Sequence, residues 1–207
     1  MRKTNVYVDG FNFYYGSVRG TPYKWLDFSK LFSLLLPPDK NSINRIRYFT
    51  ALVHPRPDDP QEPQRQQTFL RALRTIPNLS IHYGTFISNP RRMPLTKPPP
   101  NTVEVLYTEE KGSDVNLATY LIFDGIEKDY EVAVVVSNDS DLVLPIRMVR
   151  EKLKLPVGII NPHKNQSRAL AGVASFYKQV RVGALKASQF PDRLPDSDGV
   201  ITKPSSW

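Results

Sequence analysis

Four aspartates in this chain could bind a metal ion or serve as acid and base. Each stands where an apolar segment meets a polar one: Asp9, Asp114, Asp139 and Asp141. The last two closely follow the run VAVVV at 132–136, whose length and β-branched content are typical of a strand buried on both faces of a parallel sheet. Ligands bind at the carboxyl ends of such strands. The position of these two carboxylates is therefore compatible with a site.

The same residues also have a structural interpretation as turn and cap residues. Ser140 and Asp141 are favoured N-cap types, and the stretch 137–142 alone does not separate a cap from a site. Asp114 could cap a helix, where a negative charge suits the helix dipole. However, Ser113 is available as that cap, and Asp114 shares a helical face with the apolar residues three, four, seven and eight positions later. A lone carboxylate is costly to bury, which weakens the structural interpretation.

Carboxylates that meet at one sheet edge imply a particular chemistry. Asp9 ends the first predicted strand and Asp114 begins a predicted helix, so both would join the pair that follows 132–136. The four charges would raise each other's pKa values unless a cation lay among them. Oxygen ligands without His or Cys select hard divalent ions, here Mg²⁺ or Mn²⁺. Such ions neutralise phosphate and activate water, and the sequence leaves open whether one or two would bind.

Five polar residues are candidates for contacting a substrate, and each has an ordinary alternative. They are Asn12, Lys111, Ser137, Arg91 and Arg92. The asparagine could instead cap a helix, the lysine could be solvated, and the serine could be a turn residue. The two arginines fall in the segment 88–101, whose five prolines predict a mobile loop. That loop could contact a phosphate backbone or be an ordinary basic loop.

Aromatic and acidic neighbours of these segments also have two interpretations. The run Phe11, Phe13, Tyr14 and Tyr15 lies beside Asp9 and could stack nucleobases, although we expect at least two of its rings to lie in the core. The glutamates at 109 and 110 are expected to be solvated.

Strands and helices alternate along the chain, which predicts an α/β fold with a mostly parallel central sheet flanked by helices. Strands are predicted within 5–9, 43–53, 79–87, 103–108, 132–136 and 156–160, with 176–182 as strand or helix. Helices are predicted at 27–36, 64–76, 140–154 and 167–173, with another opening at 111–114 and a short helix or turn at 13–18. Residues 1–183 are predicted to form the domain, and 184–207 a polar C-terminal tail.

Composition limits the classes of function. The 207 residues suffice for one sizeable domain, and a net charge of +8 weakly favours a polyanionic partner. The chain has no cysteine and three widely spaced histidines, which excludes disulfides and thiolate chemistry and disfavours a histidine metal site. No apolar run is long enough to span a membrane, and the N-terminus lacks a signal-peptide pattern. We therefore expect a cytoplasmic protein without membrane contacts.

Taken together, VDGFN at 8–12, KGSDVNLA at 111–118 and SNDSDL at 137–142 resemble the NYN family of PIN-like ribonucleases, in its bacterial LabA-like branch. The resemblance covers about 3–182, and the chain's ending is also similar. It implies a three-layer α/β/α, PIN-like fold and an endoribonuclease that depends on Mg²⁺ or Mn²⁺ and acts on RNA, expected to be single-stranded. By motif, the four aspartates form its acidic metal-binding and catalytic set, with Asn12 as an accessory residue. A homo-oligomeric state stays open.

One departure from the family pattern affects the last motif, which is commonly SGDxDF. This chain has Asn138 for the glycine and Leu142 for the phenylalanine. Asparagine tolerates a left-handed turn better than most residues, so we expect the loop to form. All of the acids are retained.

Three other functions compete with the nuclease. A haloacid-dehalogenase-like phosphatase needs DxD after its first strand, but Asp9 is followed by Gly10 and Phe11. A dinucleotide-binding domain needs a GxGxxG turn there, and none is present. The remaining alternative is a non-catalytic RNA-binding or regulatory module of the same fold. Such a module is expected to have lost some acids, whereas this chain retains all four.

Overall fold

A computed structural model describes residues 1–207. Its ten strands are β1 (Arg2–Asp9), β2 (Asn41–Thr50), β3 (Leu79–Tyr83), β4 (Thr85–Pro94), β5 (Thr102–Lys111), β6 (Val132–Val136), β7 (Val157–Asn161), β8 (Phe176–Gln179), β9 (Arg193–Asp196) and β10 (Gly199–Thr202). Six of them form the central sheet, in the order β3-β2-β1-β6-β7-β8. Every pairing in this sheet is parallel, which confirms the predicted fold class.

Helices cover both faces of the sheet. They are α1 (Gly10–Phe13), α2 (Phe28–Leu35), α3 (Glu62–Leu73), α4 (Ser113–Ile126), α5 (Val143–Lys152), α6 (Arg168–Val173) and α7 (Val182–Ala187). Helix α1 continues into a π-helical turn at Tyr14–Val18, and a 3₁₀ turn at Ser140–Leu142 leads into α5. None of these helices combines the length and apolar character that crossing a membrane would require.

The two central strands divide the core between the two faces. Along β1, Val6 and Val8 pack with α2 and α3, whereas Tyr7 packs with α4 and α5. All residues of β6 are buried, which confirms the strand predicted at 132–136. This alternation follows from the two-residue period of a strand, since each face presents a different set of side chains. The strand order reverses between β1 and β6, and such switch points open a crevice at the carboxyl ends of the strands.

The segment 79–111 differs from its prediction. The strand expected at 79–87 is split at Gly84, and its second half joins β4. Strands β4 and β5 form a separate antiparallel ribbon, so residues 88–94 of the loop predicted at 88–101 are instead strand, and 95–101 connect the two strands. Both strands of a two-stranded ribbon are edge strands, which tolerate prolines such as Pro90. The proline content of this segment therefore does not prevent a hairpin.

The segment 184–207, expected to be a polar tail, folds against the face that carries α2 and α3. Leu185, Phe190 and Ile201 are buried there, and β9 and β10 form a short antiparallel hairpin. Trp207 packs against Trp25 and Phe69 with ring centroids 6.3 and 5.8 Å apart. A few apolar residues spaced among polar ones supply these contacts.

Candidate acidic site

Asp9 ends β1 and is held from two sides. Its Oδ1 accepts a hydrogen bond from the backbone N–H of Asn12 at 3.0 Å, and its Oδ2 accepts one from the Ser137 hydroxyl at 2.9 Å. The residue is 6% exposed. Gly10 follows because a Cβ there would lie 2.6 Å from the carbonyl oxygen of Phe49. The glycine of the VDGFN motif thus lets the chain turn close to β2 directly after the carboxylate.

The loop after β6 is fixed to the loop after β1. Asn12 accepts a hydrogen bond from the backbone N–H of Asn138 at 2.9 Å, and the buried Ser137 hydroxyl accepts one from the N–H of Asp139 at 3.1 Å. Asp139 in turn accepts from the N–H of Asp141 at 2.9 Å and caps the 3₁₀ turn. Asn12 and Ser137, both predicted as substrate contacts, are therefore placed here as supports for the two strand-end loops.

Asn138 does not adopt the left-handed backbone that its position in the motif suggested. Positive φ angles occur outside glycine only at Lys128 and Lys154. The Asn138 side chain instead donates to the carbonyl oxygen of Asn165 at 3.1 Å and accepts from the N–H of Ser167 at 2.8 Å. It ties the loop after β6 to the start of α6, which a glycine could not do.

Asp114 lies in the first turn of α4, and the start of that helix differs from the prediction. The expected cap, Ser113, is itself in the helix, and the N-cap is Gly112 with a φ of 98°. Glu110 accepts hydrogen bonds from the backbone N–H and the hydroxyl of Ser113, at 3.1 and 2.6 Å. This glutamate was expected to be solvated and is half-buried. Its role escaped prediction because it depends on the β5–α4 corner rather than on a helical spacing.

Burial and neighbouring charge act together on Asp9. Burial raises its pKa to about 7, and the negative charges of Asp114 and Asp139 add to this effect. The hydrogen bonds from Asn12 and Ser137 lower the pKa and offset part of the rise. Both hydrogen bonds to Asp9 come from neutral groups, and no salt bridge joins it to a basic side chain.

Asp114 shows the same pattern. Burial raises its pKa, and the charges of Asp139, Glu110 and Asp141 raise it further. The charges of Asp114 and Asp139 act on Asp9, and those of Asp139 and Asp141 act on Asp114, which places the predicted carboxylates near one another at one edge of the sheet. We call the four residues Asp9, Asp114, Asp139 and Asp141 the acidic edge.

Several oxygens of the acidic edge have no partner within the protein. The carboxylate of Asp114 makes no hydrogen bond or ion pair although it is half-buried, and only one oxygen of Asp139 accepts a hydrogen bond. No group of three or more acidic or histidine side chains converges closely enough to hold one ion by itself. The donors suit a hard cation, but one that binds through one or two carboxylates and completes its shell with water.

The three basic residues predicted to contact substrate either pair with other side chains or lie away from the acidic edge. Lys111 pairs with Glu109 at 2.6 Å. Arg91 lies over the ring of Tyr107, 4.7 Å from its centroid, on strand β4. It is six residues along the strand from Thr85 at the ribbon's base, or roughly 20 Å. Arg92 is also on β4, is highly exposed and stands 4.0 Å from Glu104.

A cavity of about 160 Å³ begins directly behind Asp9, on the face that carries α2 and α3. Gly10 and Phe11 form one end, and its walls are largely aromatic, including Tyr14, Tyr48 and Trp207. Burial and the charge of Asp9 raise the pKa of Tyr48 above its usual range, so its hydroxyl is protonated. No sequence pattern indicates this cavity, because its walls come from segments far apart in the chain.

The aromatic run after Asp9 is divided between the core and the surface. Phe13 is buried, Tyr14 packs against the core, and Tyr15 is exposed. Phe11 meets Phe86 at the base of the β4–β5 ribbon, with ring centroids 5.6 Å apart. The β4–β5 ribbon therefore begins beside the acidic edge.

Comparison with known proteins agrees with this architecture. The chain is 31% identical over 236 aligned positions to 6-hydroxy-3-succinoylpyridine 3-monooxygenase HspA of Pseudomonas putida, across 99% of this chain and 75% of that protein. The crystal structure of a Vibrio parahaemolyticus protein of unknown function has a similar fold, with a TM-score of 0.57 and 16% identity over 87% of this chain and 94% of that one. The NYN domain model matches residues 3–179. This chain is therefore a member of the NYN domain family.

Proposed function

We propose that the protein is a metal-dependent endoribonuclease whose acidic edge hydrolyses phosphodiester bonds of RNA. One observation carries the proposal: Asp9 and Asp114 are buried or half-buried beside other carboxylates, which together with burial raise the pKa of both, and no salt bridge joins the acidic edge to a basic side chain. Such a group is costly to maintain unless a cation and a substrate use it. Membership of a PIN-like nuclease superfamily supports the same activity.

Asp114 and Asp139 are the residues we propose to hold Mg²⁺ or Mn²⁺, because their carboxylates keep oxygens free of protein hydrogen bonds. When bound, such an ion supplies charge for the phosphate and a more acidic water. Asp141 is exposed next to them and is proposed to bind a water of the same shell. Metal titration of the cleavage rate distinguishes one ion from two.

The remaining residues position this group. Asp9 is fixed by Asn12 and Ser137, so its orientation does not depend on substrate. Its raised pKa allows it to exchange a proton near neutral pH, which suits a residue that assists proton transfer. Asn12 also holds the backbone that precedes Asp139. We propose Lys111, Arg91 and Arg92 as contacts for RNA backbone beyond the cleavage point.

The test is cleavage of end-labelled single-stranded RNA and DNA of matched sequence, with Mg²⁺, with Mn²⁺ and with EDTA. Asp114→Asn and Asp139→Asn are expected to reduce EDTA-sensitive RNA cleavage by about 100-fold or more, with unchanged circular dichroism. Glu151→Gln, on the exposed surface of α5, is the matched control and is expected to keep full activity. Absence of EDTA-sensitive cleavage of both RNA and DNA would replace this proposal by a non-catalytic RNA-binding or regulatory module.

A second candidate is monooxygenation of a small aromatic compound. The relative named 6-hydroxy-3-succinoylpyridine 3-monooxygenase suggests it, and the aromatic cavity beside Asp9 is the observation that favours it. Inserting one atom of O₂ consumes two electrons from a reductant and releases the other atom as water. Oxygen uptake that requires both 6-hydroxy-3-succinoylpyridine and NADH or NADPH would support this candidate. Uptake at the rate of a protein-free blank would exclude it for that compound.

A further inference from the structure

We infer that the cavity behind Asp9 is a binding site for a single six-membered aromatic ring that carries an anionic group. The ring could be a free aromatic acid or the base of a pyrimidine nucleotide, which share this chemistry. The inference goes beyond the proposed cleavage reaction, because it concerns binding and requires neither turnover nor a metal ion.

The size of the cavity sets the size of the ligand. A cavity of about 150 Å³ lined by apolar side chains holds one benzene ring, and this cavity measures about 160 Å³. It therefore accepts one ring with a small substituent and is too small for a purine nucleoside to enter completely. Its walls are mainly aromatic and aliphatic, as is usual for small-molecule sites.

The aromatic walls favour a flat ligand. Tyr48 and Phe69 meet nearly perpendicularly, with centroids 6.4 Å apart, and Phe69 also meets Trp207 at 5.8 Å. Rings arranged edge to face around a gap offer both faces and edges to a further ring. A saturated ring of the same size would lack these interactions.

One polar group and one free cation point to the substituents. Tyr48 is 7% exposed, lines the cavity, and its hydroxyl makes no hydrogen bond within the protein. The hydroxyl is not among the fully buried polar atoms, so it is free to donate a hydrogen bond to an acceptor on a ligand in the cavity. The ammonium group of Lys24 forms no ion pair and lies 6.0 Å from the centroid of Trp207, at the same cavity.

The other charged side chains that line the cavity are paired with one another, so the positive charge of Lys24 is the one left uncompensated. Arg56 pairs with Glu62 at 2.8 Å, and Arg65 pairs with Asp59. Three basic and two acidic side chains line the space, so their net charge is positive by one. A carboxylate or phosphate on the ring would balance this charge, and the ring itself would lie next to Gly10 and the acidic edge.

Isothermal titration calorimetry on the full chain in EDTA tests the inference, with benzoate and uridine 5′-monophosphate as the two ring probes. Saturable one-to-one binding of either is expected. Binding of benzoate alone assigns the site to free aromatic acids, and binding of the nucleotide alone assigns it to RNA. Cyclohexanecarboxylate, which has the charge without the aromatic ring, is expected to bind at least about fivefold more weakly than benzoate.

Two variants and a matched control locate the binding. Lys24→Met is expected to weaken the charged probes by about tenfold while leaving benzyl alcohol unaffected, and Tyr48→Phe to weaken all of them severalfold. Lys152→Met, at the exposed end of α5, is expected to bind as the unmodified chain does. No saturable binding of any ring probe would overturn the inference, as would equal binding by both cavity variants and the unmodified chain. Because the assay contains EDTA, failure of the nuclease proposal would leave its result unaffected.

Discussion

The protein contains two groups of aspartates, most of them buried or half-buried, and basic side chains neutralise only one of the two groups. Asp124 is 4% exposed and binds the guanidinium of Arg47 through two hydrogen bonds of 2.7 and 2.8 Å, with the Tyr7 hydroxyl at 2.8 Å. Asp129 accepts from Lys3, Asn5 and Arg45 at 2.9–3.1 Å. We call these seven residues the paired network: Lys3, Asn5, Tyr7, Arg45, Arg47, Asp124 and Asp129. The acidic edge has no such cations.

The difference appears in the pKa values. Burial by itself raises the pKa of Asp129, but hydrogen bonds from Asn5, Arg45 and Lys3 hold it well below its ordinary value. Asp9 receives two hydrogen bonds yet keeps a pKa of about 7, because it is buried and its charged neighbours are other carboxylates. Carboxylates that only support a fold are expected to be paired. The unpaired group is therefore the one for which a functional explanation is needed.

The largest change in the free energy of unfolding is expected when the most buried ion pair of the paired network, Arg47 with Asp124, is removed. Arg47→Ala leaves the carboxylate of Asp124 buried with only the Tyr7 hydroxyl as a partner. Removing one partner of a buried pair costs about 3–5 kcal/mol, since the remaining charge is uncompensated. Urea unfolding followed by circular dichroism measures the loss.

A double variant separates charge from packing in this result. Arg47→Met with Asp124→Leu removes both charges, and it is expected to recover much of the stability lost in Arg47→Ala. Loss of less than about 1 kcal/mol in the single variant would show that Asp124 does not depend on Arg47 for compensation, and the contrast with the acidic edge would fail.

The two groups also differ in how far the sequence could predict them. Each aspartate of the acidic edge follows or precedes a strongly patterned segment: the strand-end rule predicts Asp9, Asp139 and Asp141, and the helical face shared with apolar residues predicts Asp114. The pairing of Arg47 with Asp124 joins residues 77 positions apart. No local spacing encodes it, because it depends on how α4 lies across β1 and β2.

The β4–β5 ribbon and the cavity were also not predictable from local sequence patterns. Pro90 and Pro94 indicated a loop, but a two-stranded ribbon needs few of the hydrogen bonds that proline removes. Trp207 forms a wall of the cavity although it lies in a segment predicted as a polar tail. Periodicity identifies elements with one apolar face, whereas isolated aromatic residues that dock over long distances carry no period.

At the acidic edge, by contrast, a substitution is expected to stabilise the fold, by an amount between the other two effects. Asp9→Asn removes a buried charge, so in EDTA at about pH 8 it should raise the free energy of unfolding by about 1–3 kcal/mol. The gain is smaller than the full pKa difference implies, because the amide must reorganise its contact with Ser137. Urea unfolding from about pH 4.5 to pH 8 measures the effect.

The sign of the pH dependence distinguishes this explanation from improved packing. The folded-state pKa of Asp9, about 7, lies above its unfolded value of about 3.9. Its favourable contribution is complete at low pH and is lost as pH rises through 7. The two chains should therefore have similar stability near the unfolded pKa and diverge up to about pH 7. A constant difference at every pH would contradict the assignment to the charge of Asp9.

The smallest effect is expected from Arg45→Ala, in the exposed part of the paired network. The Arg45 side chain is 43% exposed and lies 2.9 Å from Asp129, which keeps hydrogen bonds from Asn5 and Lys3 after the substitution. Exposed pairs of this kind contribute less than about 1 kcal/mol, and salt weakens them further. Urea unfolding at low and high salt should show a small loss that shrinks as salt is added. A salt-independent loss as large as that of Arg47→Ala would mean that the number of partners, rather than burial, determines what a carboxylate costs this fold.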